Sequence, residues 1–529
     1  SPDLFAFPPR PRTRCKKAGA LSMGLAYPIL TADEAAELIP DGAMVGVGGF
    51  TPAGSPKAVP SALARRARAL HEAGEPFQIR MLSGASTGDE CDDALAEAEA
   101  VSWRAPYITS SSMRKLANSG RLDFIDMHLS HVAQMVSGGI LGPMDLAIVE
   151  ATEITPEGRV YLTTGIGNAP TFLHKADRVV IELNAYHDPR VRELADVVML
   201  PPPPRRAPIP INDPLDRIGA RYAEVDPRKV VGVVHTHQPD GGRGFAPPDA
   251  VSRAIADHVS GFLLDEIASG RIPAEFLPLQ SGVGNVCNAV LASLASRDGF
   301  PKFKVYTEVL QDAMLDLIAD GTILGASACS LTLTNDKLRF LYDHFDDFAD
   351  RIVLRPQEIS NSPEVARRLG VVAINTAIEV DVYGHANSTH FYGTQVMNGL
   401  GGSGDFERNA YLSIFMCPSV AKGGRASTIV PMCSHVDHSE HSVQVIATEH
   451  GLADLRGLAP AARARRIIDR CAHPAYRDYL HRYLESAPPG HLRHDLRRCF
   501  ELHANFLETG AMLPGLDLKQ FEEPKAADA

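Results

Sequence analysis

The sequence predicts an α/β protein with two similar open domains, each built on a mainly parallel sheet. Strand-like and helix-like segments alternate along the chain, a pattern typical of parallel sheets covered by helices. Two segments, AMVGVGGFTPAGSPKAVPSALARRA and LPLQSGVGNVCNAVLASLASRDG, repeat the order strand, glycine turn and helix. The chain of 529 residues is also too long for a single hydrophobic core, so more than one domain is expected.

Composition divides the chain into four parts. Residues 1–24 are basic, proline-rich and poor in acids, and we interpret them as a disordered or tag-like extension. A targeting peptide over residues 1–22, which would direct the protein to mitochondria, is the alternative. We predict a first domain over residues 25–245, a second over 246–510 with a helical cap after residue 459, and a loose tail over 511–529.

The segment MLPPPPRRAPIPINDP, Met199–Pro214, precedes the predicted domain boundary. Its seven prolines exclude a helix or a central strand. Ile209 and Ile211 offer apolar anchors, so we expect an ordered extended loop that crosses the surface or joins subunits. The following stretch, Pro247–Gly270, has helical spacing and leads into the second domain.

Bulk composition excludes several classes of function. The formal charge of -12 and the pI of 5.9 argue against nucleic acid as a partner, since no strong basic field is present. No apolar run is long enough to cross a bilayer. The eight cysteines form no C-x-x-C pair, which favours free thiols in a reducing cytoplasm.

A carboxylate marks the stretch KVYTEVLQDAMLDLIADGTI. Lys304–Tyr306 continues a β-favouring run, and the apolar spacing from Val309 predicts a helix that ends at Asp320 before a Gly321 cap. Glu308 would then lie at the first helical turn, where the helix dipole favours its ionised form. One reading is that Glu308 only satisfies this turn; the other gives it a chemical role.

Two further features suggest a site. Thr448-Glu449 ends a strand in the same way as Thr307-Glu308, and ligands bind beyond the carboxyl ends of parallel strands, so both carboxylates could face one cavity. The loop MNGLGGSGDFERNA could aim backbone N–H groups at developing negative charge, although a flexible surface loop has the same composition. Its glycines are Gly399, Gly401, Gly402 and Gly404.

Three other patterns are weaker indications of a ligand site. The turns Gly46-Val47-Gly48 and Gly282-Val283-Gly284 do not complete a dinucleotide fingerprint. HVDHSEH, His435–His441, spaces its histidines unlike a helical zinc site, so we predict a polar loop under the site and no metal. For GGRGF, Gly241–Phe245, two interpretations stay open: Arg243 contacts a phosphate, or the segment is a solvated surface turn.

Several longer motifs together resemble the class I coenzyme A transferases, and within them the acetyl-CoA hydrolase/transferase branch, especially the succinyl-CoA:acetate CoA-transferases. The motifs are GVGGFTPAGSPKAVP, QSGVGNVCNAV, TEVLQDAMLDLI, EISNSPEV, DVYGHANSTH, NGLGGSGDFERNA and IVPMCSHVDHSEHSVQVIATEHGLADLRG. They extend from about residue 25 to residue 500 in the family's order.

The resemblance implies roles for particular residues. Glu308 is the expected nucleophile, and Asn361 and Glu449 are the expected polar pair that orients it or holds the carboxylate substrate. The oxyanion and CoA-binding positions are Val283, Gly284, Asn285, Gly401, Gly402 and Gly404, with Val283 and Gly402 as the backbone N–H donors. The resemblance also implies an active site between the two domains and a homodimer.

The expected reaction moves CoA between a short acyl-CoA and a carboxylate, with succinyl-CoA and acetate as the first choice and propionyl-CoA with succinate as an alternative. Coenzyme A is then a substrate, and no permanent cofactor is expected. Three other classes stay open. An acetyl-CoA hydrolase would use the same site with water as acceptor. A non-catalytic nucleotide- or CoA-binding regulator is disfavoured by the two Thr-Glu strand ends and the polar Asn361, because binding alone needs no ionised carboxylate facing a thioester. A metal hydrolase that uses the three-histidine loop is the last alternative.

Overall fold

The computed structural model describes residues 27–244 and 246–521, so the predicted extension over residues 1–24 lies outside the described residues. Strands β1 to β9 belong to the first half of the chain: Met44–Val47, Ile79–Ser83, Val101–Ala105, Asp123–Phe124, Leu146–Ile154, Arg159–Leu162, Arg178–Asn184, Ala223–Glu224 and Val230–Thr236. Helices α1 to α6 accompany them: Ala32–Glu37, Ala58–Glu72, Ala94–Glu97, Ser111–Asn118, Val132–Ser137 and Ala169–Lys175.

The second half holds strands β10 to β26: Leu279–Ser281, Phe303–Tyr306, Val309–Leu310, Ile323–Ala328, Ser330–Leu331, Ile352–Leu354, Val372–Thr376, Glu379–Asp381, Ala386–Asn387, His390–Phe391, Gln395–Val396, Leu412–Met416, Val420–Ala421, Ala426–Ser427, Ile429–Val430, Val445–Thr448 and Gly451–Asp454. Helices α7 to α17 are Ala250–Ala268, Asn285–Ser296, Asp312–Ala319, Asn335–Asp343, Phe345–Phe348, Gln357–Ser360, Pro363–Leu369, Ser403–Glu407, Pro460–Cys471, Pro474–Ser486 and Glu501–Thr509.

Each half is built on one large sheet. In the first, the parallel strands have the order β4-β3-β2-β1-β5-β7-β9, and β6 and β8 add an antiparallel flap beside β5. In the second, the order is β15-β13-β11-β10-β16-β21-β25-β26, parallel except for β26. One apolar cluster includes Phe172 and Val149 of the first half and Leu310 and Ile374 of the second, so the halves share a core. The predicted two-domain α/β class is confirmed.

The helix predicted from Val309 is wrong at its start. Val309 and Leu310 form β12, which pairs in parallel with β14, and α9 begins only at Asp312. Both apolar side chains are fully buried, so strand pairing and burial satisfy the spacing that suggested a helical face. Gly321 does follow the last turn with a left-handed φ of +80°, as a glycine after a helix should.

The proline-rich segment is an extended loop over the second half, as predicted. Ile209 and Ile211 are buried against Tyr306 and Ile359, which places the anchors beside the strand that carries Glu308. The predicted helix after it is α7, capped by the Asp249 carboxylate, which accepts the Ser252 N–H at 2.7 Å.

The C-terminal cap is helical, with α15, α16 and α17 packed on β17, β24 and β25 in one apolar cluster. The tail differs from its prediction over residues 511–521. Met512 is buried, and its N–H donates to the Arg425 carbonyl at 2.8 Å. Apolar packing therefore holds this part of the tail against the cap. None of the helices in the described ranges is long and apolar enough to cross a membrane.

Candidate active site

A cavity of about 680 Å³ lies between the two halves of the molecule. Its volume is within the range usual for small-molecule sites. Residues of both halves line it, including Thr51, Ala85, Tyr107, Ser110, Arg114 and Arg243 from the first and Val283, Glu308, Asn375, Ile378, Gly401 and Gly402 from the second. Glu308 therefore faces a cavity, and a chemical role for this residue requires such a position.

Strand β11 delivers Glu308 to this cavity. Thr307 directly follows the strand; its N–H donates to the Ser327 carbonyl at 2.9 Å and its hydroxyl donates to the Ser281 carbonyl at 3.1 Å. With Thr307 fully buried, the next side chain points out of the sheet edge. The glutamate is thus held by strand pairing on both sides of β11, as precise positioning needs.

Two donors contact the Glu308 carboxylate. The Asn361 side-chain amide donates to Oε2 at 2.8 Å, and the Gly402 backbone N–H lies close enough to the carboxylate to lower its pKa. Gly402 approaches so closely that a Cβ there would lie 1.8 Å from Oε2 and 2.4 Å from the Asn361 amide nitrogen. Only glycine leaves room for this contact.

Burial, rather than a helix dipole, is the main influence on the charge state of Glu308. The pKa of Glu308 is raised to about 7, chiefly by desolvation in the cavity wall; the nearby Asp405 also raises this pKa, while the Asn361 and Gly402 donors lower it. The expectation that a helix N-terminus favours the ionised form is therefore wrong, because α9 begins four residues later. A carboxylate whose pKa is near 7 is still ionised in a large fraction of molecules at neutral pH, and its ionised form is more basic than that of an ordinary glutamate.

We expect the pH profile of kcat/KM for an acyl donor to report this group. Attack needs the ionised glutamate, so the rate should fall about tenfold per pH unit below about pH 7. Asp405→Asn should move this acid limb to lower pH, since removing the neighbouring charge lowers the pKa of Glu308. A profile of the parent enzyme that stays flat down to about pH 5.5 would contradict the assignment.

Asn361 and Glu449 do not meet in this structure. Glu449 follows β25, four strands along the sheet from β11, or about 19 Å at the usual strand spacing. Its carboxylate accepts hydrogen bonds from the Ser419 N–H, at 2.8 Å, and from the Ser419 hydroxyl. Among the described residues, Glu449 makes no hydrogen bond or ion pair with Glu308 or Asn361. The strand order, which the repeated Thr-Glu pair could not reveal, separates the two carboxylates.

The two glycine turns take different places. Val283 is half exposed and lines the cavity, whereas Gly284, the N-cap of α8, and Asn285, its first residue, are not among the lining residues. In the second loop, Gly401 and Gly402 line the cavity. Gly404 lies behind them, where a Cβ would meet the His128 ring at 2.6 Å. Of the six predicted oxyanion and CoA-binding residues, three thus face the cavity directly.

The histidine loop contacts the second glycine loop, and its three histidines have different partners and do not converge on one point. The His438 Nε2 lies 3.1 Å from the Ser403 hydroxyl, and its Nδ1 lies 2.5 Å from the Asp437 carboxylate. His435 packs on His390, and the His441 side chain is 83% exposed. This agrees with a polar loop beneath the site.

A buried acidic cluster elsewhere in the first half has the donor set of a metal site. It consists of Glu150, His187 and Asp240. The Lys57 ammonium lies among them, 2.7 Å from Glu150 and 2.9 Å from Asp240, and all four side chains are buried. A protein cation already neutralises these acids, so we interpret the cluster as a buried ion-pair network.

Sequence reasoning missed three residues, two that line the cavity and one buried next to Glu308. Asp405 lies in the quoted glycine loop, close enough to Glu308 to raise its pKa. Tyr107 lines the cavity from the first half, where burial and Glu308 raise the pKa of its hydroxyl. Arg114 lines it from α4. An acid inside a glycine-rich loop was a usable signal for Asp405; nothing local marks Tyr107 or Arg114.

Sequence comparison agrees with this geometry. Models of the N-terminal and C-terminal domains of acetyl-CoA hydrolase/transferase match residues 26–235 and 338–484. The chain is 61% identical over 484 residues to the propanoyl-CoA:succinate CoA transferase of Escherichia coli, covering 92% of this chain and 98% of that protein. It belongs to the acetyl-CoA hydrolase/transferase family.

Other similar proteins have lower sequence identity to this chain. The succinyl-CoA:acetate CoA-transferase of Clostridium kluyveri is 46% identical, over 92% of this chain and 90% of that one. The crystal structure of RipA from Yersinia pestis has a TM-score of 0.66 at 22% identity, over 86% of this chain and 96% of that chain, and supports the fold alone. The two family models thus match residues in both halves of the molecule.

Proposed function

We propose that the protein transfers CoA between a short-chain acyl-CoA and a carboxylate, with Glu308 as the covalent nucleophile. The observation that carries this proposal is the Glu308 carboxylate in a cavity between two domains, held by the Asn361 amide and the Gly402 N–H. Transfer conserves the thioester bond, so the reaction needs neither ATP nor an external activating group.

The proposed first step forms an anhydride. The ionised Glu308 oxygen attacks the acyl-CoA carbonyl, the carbon–sulfur bond breaks, and CoA leaves as a thiolate. The Val283 turn and the glycine loop border the cavity and can offer N–H groups to the oxyanion that forms on the acyl carbonyl.

The next steps take place at the glutamyl carbonyl. The CoA thiolate attacks it, the anhydride C–O bond breaks, and the first carboxylate leaves, so that a glutamyl-CoA thioester remains. The new oxyanion arises on an oxygen of the Glu308 side chain, the same group that Asn361 and Gly402 contact in the free enzyme. These donors are therefore already in place for this step. An incoming carboxylate reverses the sequence.

Succinate and a short acyl chain are the proposed substrates. The E. coli relative at 61% identity is named for propanoyl-CoA and succinate, and the C. kluyveri relative at 46% for succinyl-CoA and acetate. The greater identity favours the propionyl-CoA and succinate pair over our sequence-based first choice, acetate with succinyl-CoA. Both pairs have succinyl-CoA on one side of the reaction.

A panel of donors and acceptors tests this function. Acetyl-, propionyl- and succinyl-CoA are each incubated with acetate, propionate or succinate, and the new acyl-CoA and free CoA are both quantified. We expect new acyl-CoA to exceed free CoA whenever a carboxylate is present. Release of free CoA without any new thioester would instead identify a hydrolase, the second function that the family name allows.

Assembly and location complete the proposal. We infer a homodimer from the family resemblance and a reducing cytoplasm from the cysteines, since the seven that the structure describes are free and buried. Sedimentation of the purified protein tests the dimer. A single species at the monomer mass of 57.0 kDa would contradict it.

A further inference from the structure

A short turn of the first half, Leu129–His131, enters the second half behind the active site. It is a single 3-10 turn that precedes α5. It lies against α12, the helix before Asn361, and against α14, the helix after Gly402. The turn therefore contacts both segments that supply a donor to Glu308.

Hydrogen bonds, and not packing alone, join the turn to α14. The Ser130 N–H donates to Asp405 Oδ2 at 2.9 Å, and the Ser130 hydroxyl donates to Oδ1 at 2.6 Å. Both residues are buried, at 8% and 3% exposure. One serine thus satisfies both oxygens of a buried carboxylate, and this fixes the orientation of the Asp405 side chain.

A second bond joins the turn to α12. The Gln357 side-chain amide donates to the Leu129 carbonyl at 3.0 Å, and Gln357 is fully buried. Gln357 is the first residue of α12, and its own carbonyl accepts the Asn361 N–H at 3.0 Å. The turn is therefore linked through one residue to the backbone of Asn361.

Apolar packing also connects the turn to the segment that carries Glu308. The Leu129 side chain is fully buried in a small apolar cluster with Phe50, Ala85, Val309 and Cys329. Val309 follows Glu308, and the Cys329 N–H donates to the Glu308 carbonyl at 2.9 Å. All three segments that meet at the carboxylate thus rest on Leu129–His131.

We propose that Ser130 is a positioning residue, which holds α14 so that the Gly402 N–H stays beside the Glu308 carboxylate. This inference rests on the proposed function and extends it to a residue of the first domain that lies outside the cavity lining. Gly402 precedes α14 directly, and Asp405 is the third residue of that helix. A small rotation of α14 would therefore move the N–H away from the reacting oxygen, and small misplacements cost large factors in rate.

Three variants test the proposal. Ser130→Ala removes the hydroxyl donor and keeps the N–H, Ser130→Thr keeps both, and Ser137→Ala is a matched control at an exposed position, the last residue of α5. We expect Ser130→Ala to lower kcat about 10- to 100-fold with KM for the acyl-CoA changed less than about threefold, since the loss falls on oxyanion stabilisation. Ser130→Thr should recover most of the rate, and Ser137→Ala should match the parent.

Rates are normalised to active sites counted by trapping the CoA adduct, and melting temperatures are measured alongside. The proposal is overturned if Ser130→Ala has the parent kcat per active site and differs only in melting temperature, or if the whole loss appears in KM. A purely structural serine would give that result. Absence of CoA transfer in the parent enzyme would instead reject the proposed function, so the two failures are distinguishable.

Discussion

Glu308→Gln should lower CoA-transfer turnover by at least about 10⁴-fold while the protein still folds, because the amide cannot form the anhydride on which both later steps depend. Asn361 can still donate to the amide oxygen, so the shape of the site is kept. Transfer is followed as new acyl-CoA from succinyl-CoA and acetate. The matched control is Glu72→Gln, an exposed glutamate at the end of α2, whose turnover should equal that of the parent.

The same substitution should stabilise the protein at alkaline pH. The pKa of Glu308 is about 7 in the folded chain against an ordinary value of 4.5, so the folded state binds more protons between these values. Stability therefore falls as pH rises through this window, by up to about 3 kcal/mol above pH 7. Melting curves should place Glu308→Gln above the parent at pH 8 and level with it near pH 4.5. A lower melting temperature at pH 8 would contradict the buried, costly charge.

Gly402→Ala should have the next largest effect, a loss of about 10²- to 10³-fold in kcat. Gly402 has ordinary right-handed backbone angles, φ -87° and ψ -7°, so alanine imposes no conformational strain. The effect is steric: the new methyl group would overlap the Glu308 carboxylate and the Asn361 amide and displace the loop. Turnover and melting temperature are measured together.

Gly261→Ala is the control for this substitution. Gly261 lies within α7, where an added Cβ meets only the Arg297 side chain, at 3.6 Å. Alanine there should leave kcat unchanged and raise stability by up to about 1 kcal/mol, the usual gain in a helix. Parent-like turnover of Gly402→Ala would show that this loop does not touch the reacting group.

Local patterns predicted much of the fold, because alternating strands and helices, glycine turns and runs of proline act over short distances. They failed where a long-range partner decided the outcome. Val309 and Leu310 have helical spacing but pair with a strand more than twenty residues later, and Met512 packs on the cap although the tail is polar.

The site residues show the same contrast between local patterns and long-range partners. Motif resemblance identified Glu308, Asn361 and Gly402, and the structure brings these three together. It also suggested Glu449, which the strand order places far along the sheet. Ser130 escaped attention because its importance depends on which residue it meets across the domain interface, and a serine in a short turn carries no local signal.

The most direct test of Glu308 as nucleophile is the site of covalent attachment. The enzyme is mixed with acyl-CoA without acceptor, digested at low temperature and mapped by mass spectrometry. We predict CoA joined as a thioester to the peptide that contains Glu308, and none on that peptide in Glu308→Gln. CoA attached to another residue, or steady turnover with no covalent adduct, would contradict the account.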